Sequence, residues 1–423
     1  MLQTMVVTAV MLAMPHADAI ELTLDESVER ALDAHPALRR LDALDRAADA
    51  EIQIANRRPP MTIGLEAENL LGTGALNGVD GSEFTLSLGT LIERGGKRGA
   101  RTALARTQAD RLTLEREAER LDLMAETTRR FIDLLVLQQA REIAAANARA
   151  WHELYRQAGE MAGAGAIGRP VVDAQEVEAI RAGIEHEQAG ARLEPARRRL
   201  AALWNAEPEP DLTAAGTLML PSTLPEFPEL RARVNQAPEL RALASDARVR
   251  EARARLTRSS ASADLQWSLG ARRLEEIDEW ALVGSLSLPL GTARRARPEI
   301  AQADAELAAL EWERQDAERR LLATLAEAHG RLREAVEHEH RIDSELLPAL
   351  ERAVASTRES WRRGAASYLQ LASLQNNLVD WRRKRLGAIR AGLFALIEIE
   401  RLTGQSLTAV ALTASRREIN HDD

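Results

Sequence analysis

The residues in this sequence that come closest to a chemical motif are a glycine pair followed by a lysine. Gly95-Gly96-Lys97 has part of the pattern of a phosphate-binding loop. Such a loop needs a glycine where Leu91 stands and a serine or threonine where Arg98 stands, so the match fails at both positions. The segment is therefore interpreted as a turn that leads from a strand into a helix.

Two histidines, His338 and His340, are the next candidates, as metal ligands. Residues two apart on a helix point to different faces, which is poor geometry for holding one ion. The remaining histidines form no pair four residues apart, and the chain has no cysteine and no nucleophile elbow. The sequence predicts no catalytic site, no metal site and no cofactor, so the protein is expected not to be an enzyme.

Composition indicates long helices. The 423 residues contain only 3% aromatic side chains and carry a formal net charge of -9. A chain this poor in large side chains favours helices packed on small residues over one large globular core. The arginines are spread along the chain and do not form a basic patch, which argues against nucleic-acid binding.

The first residues have the pattern of an export signal. An apolar run over residues 5–14 precedes Ala17-Asp18-Ala19, an A-x-A cleavage pattern. Residues 1–19 are therefore predicted to be a signal peptide. Since cysteine is absent, an acylated lipoprotein is excluded, and no other stretch reaches 18 consecutive apolar residues.

A helical hairpin is predicted over residues 346–381. The chain from Glu299 to Arg363 has only Gly330 and Pro348 as breakers, which allows a helix on the order of 100 Å long. The tip, Gly364–Ser367, is made of small residues that let the chain reverse. Apolar residues recur at steps of three and four on both arms, as in a coiled coil; they are Leu350, Val354, Thr357 and Trp361 before the tip and Leu371, Leu374, Leu378 and Trp381 after it.

Several segments recur about 200 residues apart. Pro36-Ala37-Leu38-Arg39 returns as Pro238-Glu239-Leu240-Arg241, and the Gly168 turn matches the Gly364 turn. Markers in one order at one spacing indicate an internal duplication. The predicted divisions are a first repeat at 20–220, a second at 221–410 and a C-terminal tail at 411–423, each repeat holding a helix, two strands and a long helical hairpin.

Each half also contains two segments in which apolar residues alternate with small or polar ones. The apolar positions are Ile63, Leu65 and Ala67; Phe84, Leu86 and Leu88; Leu265, Trp267 and Leu269; and Leu286, Leu288 and Leu290. This period of two predicts two strand hairpins, joined by Gly72–Gly81 and by Glu275–Glu279. The apolar face would meet either a soluble core or, in an outer-membrane barrel, lipid, with Trp267 and Trp280 at the interface. Since four strands cannot close a barrel, a membrane-spanning form must oligomerise.

Five segments together have the pattern of a known family: Leu22–Val28, His35–Leu38, Glu93–Arg98, Leu347–Ala349 and Trp361–Gly364. Through them the chain resembles TolC-like outer-membrane efflux proteins over essentially its whole predicted mature length. The resemblance implies a mainly α fold in which three chains each give four strands to a 12-stranded transmembrane β-barrel, continued by a long periplasmic coiled-coil α-barrel with a mixed α/β belt. It also implies docking of the tip on a periplasmic adaptor (membrane fusion) protein bound to an inner-membrane efflux pump. The turn from strand to helix at Gly95-Gly96-Lys97-Arg98 is similar to that of the heavy-metal resistance branch of the family (Czc/Cus type).

The resemblance also places the site residues. In the family, polar and charged links close the periplasmic end, and acidic rings there attract cations. Alignment on Gly364 puts those acidic positions on Gln370 and Ser373, so an acidic filter is not expected here. The candidate gate residues are Arg362, Arg363, Tyr368, Gln370, Ser373, Arg169 and Asp173, and the adaptor-docking tips are Ala164, Gly165 and Gly168 with Gly364, Ala365, Ala366 and Ser367.

The expected function is a passive, trimeric exit duct of a tripartite efflux system in the outer membrane, exporting metal cations or small toxic compounds. Two alternatives stay open at the level of sequence. One is an outer-membrane channel for type I protein secretion, and the other is an exported structural coiled-coil protein with a soluble β-domain.

Overall fold

The structure is a computed structural model that describes residues 21–70, 72–74, 79, 81–207 and 212–404. The predicted signal peptide at 1–19 and the predicted tail at 411–423 lie outside the described residues, as does part of the Gly72–Gly81 loop.

The first half of the chain runs through short helices, a strand hairpin and a long helical hairpin. Its elements are β1 (Glu21–Leu22), α1 (Leu24–Ala34), α2 (Pro36–Ala55), β2 (Thr62–Glu68), β3 (Glu83–Ile92), α3 (Lys97–Gly163), α4 (Arg169–Ala191) and α5 (Leu193–Ala201).

The second half has a similar order. Its elements are β4 (Thr213–Ala214), α6 (Phe227–Arg233), α7 (Pro238–Ser259), β5 (Leu265–Leu274), β6 (Glu279–Ser287), α8 (Thr292–Arg341), α9 (Leu347–Arg362) and α10 (Tyr368–Thr403). A helix, two strands and a long helical hairpin thus follow one another in each half, while the duplication itself remains a prediction.

Local chemistry explains where the first helices begin. The Thr23 hydroxyl accepts a hydrogen bond from the Glu26 backbone N–H at 3.3 Å, and the Glu26 carboxylate accepts one from the Thr23 backbone N–H at 2.9 Å. This reciprocal cap satisfies two N–H groups that a helix start leaves free. His35 caps α2, whose first residue is Pro36, so the chain breaks between α1 and α2 at this pair.

The four longer strands form one antiparallel sheet in the order β2-β3-β5-β6. Their register places like residues side by side, because residues opposite each other in antiparallel strands share a face. One row across the sheet joins Leu65, Leu86, Ala271 and Leu282. The next row, on the other face, joins Gly64, Ser87, Gly270 and Val283. The predicted division into an apolar face and a small or polar face is confirmed.

The predicted position of the fourth strand, around Leu286, Leu288 and Leu290, is wrong, because the strand lies earlier in the sequence. It covers Glu279–Ser287, so Leu288, Pro289 and Leu290 follow it rather than belong to it. Proline has no N–H to donate to a strand ladder, which is why pairing ends before it. The connecting loop is correspondingly shorter, because Glu279 already pairs with Leu274.

The polar face of the sheet carries hydrogen bonds between strands. Arg272 of β5 donates to Glu83 at 2.5 Å and to Thr85 at 2.9 Å, both on β3. Ser268 and Ser285 are joined at 2.7 Å. Within the described residues, β2 and β6 are each paired on one side only, so the sheet has two open edges.

Two very long helical segments extend from this sheet. Helix α3 has 67 residues, which at 1.5 Å per residue makes it about 100 Å long. The second segment, α8 with α9, is of similar length and runs through Gly330 without a break. Pro348 lacks the N–H that would bond to the Ser344 carbonyl. A π-helical turn at Ile342–Leu346 lies just before Pro348 and allows the helix to continue through the proline.

The largest core lies where both halves of the chain meet. It joins Ala31 of α1, Phe131 of α3, Leu230 of α6, Leu325 of α8 and Leu396 of α10, all of them almost fully buried. The short strands β1 and β4 pair in parallel beside it and contribute Leu22 and Ala214. This mixed packing of helices and strands matches the belt that the resemblance implies.

Gly392 lies where α10 packs most closely on its neighbours. A Cβ there would lie 2.6 Å from the Leu220 side chain and 3.0 Å from the Ala335 Cβ. We therefore expect Gly392→Ala to lower the free energy of unfolding by about 1–3 kcal/mol. Gly387, in the same helix, has no such neighbour within 4 Å, so Gly387→Ala should raise it by about 0.5–1 kcal/mol. Thermal unfolding midpoints of the two variants check this, and shifts of equal sign would contradict it.

Among the helices that the structure describes, none combines the length and apolar character needed to cross a membrane.

Candidate functional site

The distal ends of the two helical hairpins have the same backbone construction. Gly165 and Gly364 both adopt positive φ, at 72° and 74°. The residue after each glycine donates its N–H to a carbonyl five residues earlier, Ala166 to Met161 and Ala365 to Ser360, at 2.8 Å in both cases. This is the glycine-dependent way of ending a helix and reversing the chain. Both tips predicted from the sequence are turns, but the predicted match of Gly168 with Gly364 is wrong in detail. The equivalent of Gly364 is Gly165, while Gly168 is extended, with φ of -81°, and caps the next helix.

Both tips consist of small residues that are mostly exposed to solvent. All seven residues predicted to dock an adaptor are exposed except Ala366, which is half-buried. Apart from its two neighbours in the chain, neither Gly165 nor Gly364 has a residue with a heavy atom within 4 Å of where a Cβ would be. Beside the second tip, the exposed Leu369 and the candidate Ser373 line an open groove between α9 and α10. A partner helix end can therefore approach the backbone closely at either tip.

Two hydrogen bonds join the second hairpin to the first near these tips. The Tyr368 hydroxyl of α10 donates to the Ala174 carbonyl of α4 at 3.4 Å. The Arg362 Nε of α9 donates to Gln157 Oε1 of α3 at 3.3 Å. We call this pair of hydrogen bonds the tip contact. Both distances are long, so each bond contributes modestly, on the order of 0.5–1.5 kcal/mol.

The chemical state of Tyr368 suits this contact. Burial raises the pKa of its hydroxyl above the ordinary value, and the neighbouring Glu178 carboxylate raises it further. The phenol therefore stays protonated at neutral pH and can donate to a backbone carbonyl.

The acceptor for Arg362 is itself held in place by a charged network on α3. Gln157 donates to Glu153 at 2.5 Å, and Arg156 donates to the same carboxylate at 2.6 Å. Hydrogen bonds from Arg156 and then from Gln157 lower the pKa of Glu153 to about 2, with a smaller contribution from the positive charge of Arg362. No sequence pattern singles out Glu153 or Gln157, since both resemble the other polar residues of a long helix.

The lowered pKa of Glu153 predicts how acid affects the tip. A carboxylate whose pKa is lower in the folded protein than in the unfolded chain stabilises the fold at pH values above its pKa in the unfolded chain, about 4.3. This stabilisation is lost as the pH falls towards the pKa of the folded protein. We expect the thermal midpoint of the wild type to exceed that of Glu153→Gln at about pH 6 and the difference to vanish by about pH 2. A midpoint difference that does not change over this range would contradict the assignment.

Four of the other gate candidates, Arg363, Arg169, Asp173 and Gln370, form bonds within their own hairpin. Arg363 reaches Glu359 at 3.6 Å in α9, and Arg169 donates to Asp173 at 2.9 Å in α4. Gln370 caps α10, its side chain accepting from the Ser367 N–H at 3.1 Å. Of the seven candidates, Arg362 and Tyr368 are therefore the two whose side chains hydrogen-bond to the other hairpin within the part of the chain that the structure describes.

Beneath the tip contact the two hairpins share an apolar core. Trp151 and Leu154 of α3, Val172 of α4, Trp361 of α9 and Leu371 of α10 are all nearly fully buried in it. A second cluster continues along the second hairpin; it contains the predicted seam residues Val354 and Leu378, with Leu350, Leu374 and Trp381 half-buried against it. The predicted coiled-coil seams are thus confirmed.

Among the described residues, no group of three or more His, Cys, Asp or Glu side chains is arranged to hold a metal ion. The turn at Gly95-Gly96 connects β3 to α3, with φ of 70° and 74° at the two glycines. It is the strand-to-helix turn that the failed phosphate-loop pattern indicated.

Comparison with known proteins gives one related sequence and several similar structures. No protein-family model matches the chain. The cobalt-zinc-cadmium resistance protein CzcC of Cupriavidus metallidurans is 26% identical over 322 residues, which cover 76% of this chain and 77% of that protein. A crystal structure of CusC superposes with a TM-score of 0.75 at 14% identity, covering 90% of this chain and 91% of that one. The open state of the Neisseria gonorrhoeae outer-membrane channel MtrE gives a TM-score of 0.72 at 18% identity, covering 91% and 89%.

Proposed function

We propose that this chain, which belongs to the TolC-like family of outer-membrane efflux channels, is the passive exit duct of a tripartite efflux system. It carries out no catalysis. Its sheet spans the outer membrane, its long helices extend through the periplasm, and its tips receive the partners that open it.

The exposed apolar face of the sheet is the observation that carries this proposal. Leu65, Leu86, Leu282 and Leu286 on that face are all more than half exposed. Leaving so contiguous an apolar surface in water is unfavourable, and lipid removes the cost. Strands β3, β5 and β6 have nine or ten residues each, about the length needed to cross a bilayer as tilted strands.

The open edges of the sheet require more than one subunit, and the resemblance implies three. Unpaired N–H and C=O groups are not tolerated in lipid, so β2 of one copy must pair with β6 of another. Three copies of a four-stranded sheet close a 12-stranded barrel. The Ser, Thr and Gly side of each sheet then lines a water-filled path.

The partners follow from where the tips lie. The tips are separated from the sheet by the length of α3, about 100 Å, so they lie deep in the periplasm. There a periplasmic adaptor can dock on the small residues of Ala164–Gly168 and Gly364–Ser367. The energy for opening and most of the substrate choice would come from an inner-membrane pump.

We further propose that the exported substrates include divalent transition-metal cations. The support is the similarity to CzcC, whose name states resistance to cobalt, zinc and cadmium. At the tip, however, Gln370 and Ser373 are uncharged. Cation selection by an acidic ring at these positions is therefore not part of the proposal.

The decisive experiment combines fractionation with conductance. The protein should resist extraction from membranes by salt or high pH, should come out with detergent, and should form trimers. Purified trimers should then conduct ions in planar bilayers. Extraction without detergent would favour the soluble coiled-coil alternative, and trimers that never conduct would contradict the duct. Neighbouring genes for an ATP-driven exporter, in place of an adaptor with a metal-type pump, would favour type I secretion.

A further inference from the structure

Three glutamines are buried at one level of the helical hairpins. Gln157 of α3 is 7% exposed, Gln175 of α4 is 0% exposed and Gln375 of α10 is 5% exposed. Counted along each helix from its turn, all three lie about 11–12 Å from the tips. We call them the glutamine layer.

Gln175 occupies a core position of α4. The buried residues of this helix are Val172, Gln175, Ala179 and Ala182, at steps of three, four and three. The other three belong to the apolar cluster that also contains Trp151 of α3, Trp361 of α9 and Leu371 of α10. Gln175 therefore lies on the face of α4 that is buried where the two hairpins meet.

The side-chain amide of Gln175 has no hydrogen-bond partner among the described residues, at either its nitrogen or its oxygen. Gln157 differs, because it donates to Glu153 and accepts from Arg362. A buried amide without partners is unfavourable, since it has given up its hydrogen bonds to water and gained none in return. When the hairpins separate, water can reach this amide and the penalty is removed.

From these observations we propose that Gln175 is a built-in destabiliser of the contact between the two hairpins, which sets the balance between closed and open tips. The inference rests on the proposed duct. The tip contact next to it, in which Ala174 accepts from Tyr368, holds the hairpins together, and Gln175 opposes it. Because Gln175 offsets part of the tip contact, docking of an adaptor needs to supply less free energy to open the tip.

Two substitutions at this position have opposite expected effects. Gln175→Leu removes the unpaired amide while keeping the side-chain size, so the open probability of single channels should fall about tenfold. Gln175→Glu places a carboxylate in the same apolar surroundings, where only separation of the hairpins hydrates it, so the open probability should rise. The control is Gln188→Leu, the same exchange at an exposed position of α4, and it should behave as the wild type.

The test is single-channel recording of these variants in planar bilayers, with hydrogen exchange of residues 172–182 measured on the same trimers. Gln175→Leu should slow exchange in this segment, and Gln175→Glu should accelerate it. An open probability and an exchange rate in Gln175→Leu equal to those of the wild type would overturn the inference. If no protein conducts, including the wild type, the proposed duct is wrong, and the exchange rates alone then decide whether Gln175 weakens the hairpin contact.

Discussion

Removing both hydrogen bonds of the tip contact, in the double variant Arg362→Ala with Tyr368→Phe, is expected to raise the open probability of the channel about tenfold or more. The two bonds join α9 to α3 and α10 to α4, and each is worth about 0.5–1.5 kcal/mol. Tyr368→Phe keeps the ring that packs on the apolar cluster and removes only the hydroxyl. Single-channel recording in planar bilayers measures the effect.

The neighbouring arginine provides a matched control for this variant. Arg363 is exposed like Arg362, yet it bonds to Glu359 within its own helix. Arg363→Ala should therefore leave the open probability close to that of the wild type. If both arginine variants open the channel equally, loss of positive charge at the tip is responsible, and the specific bond to Gln157 is not.

Placing a charge in the middle of the apolar sheet face is expected to prevent assembly in the membrane. Leu282 is 79% exposed and lies in the row of Leu65, Leu86 and Ala271. An arginine facing lipid near the bilayer midplane costs about 2–4 kcal/mol in each chain, and the trimer bears that cost three times. Leu282→Arg should therefore abolish most detergent-resistant trimer, as measured by gel mobility before and after heating.

The control for this prediction lies one residue away on the opposite face. Val283 pairs with Gly270, beside Ser87 and Gly64, so an arginine there has room and meets the water-filled side. Val283→Arg should assemble like the wild type. If Leu282→Arg assembles as well as Val283→Arg, the apolar face does not meet lipid and the membrane assignment of the sheet is wrong.

Features with a local cause were predicted well from the sequence. The strand at Thr62–Glu68 and the start of β5 follow from strict alternation, and the turns at Gly165 and Gly364 follow from small residues between helical seams. The fourth strand was misplaced because Ala281 and Val283 make both of its faces apolar near its start, which hides the period of two. Its true extent is set by pairing with β5 up to Leu274, a partner that lies outside any local window.

The sequence by itself determined that this protein has long helical hairpins with small-residue tips and strands with one apolar face. Periodicity and chain breakers are properties of a single segment, so they can be read without knowing its neighbours. Only the tertiary structure decided which side chains join the hairpins. Arg362 and Arg363 are the same residue type at adjacent positions. In the structure Arg362 donates to the Gln157 side chain of α3, whereas Arg363 donates to the Glu359 backbone carbonyl of α9. Likewise, Gln175 is an ordinary polar residue in the sequence and becomes an unpaired amide only because the other helices bury it.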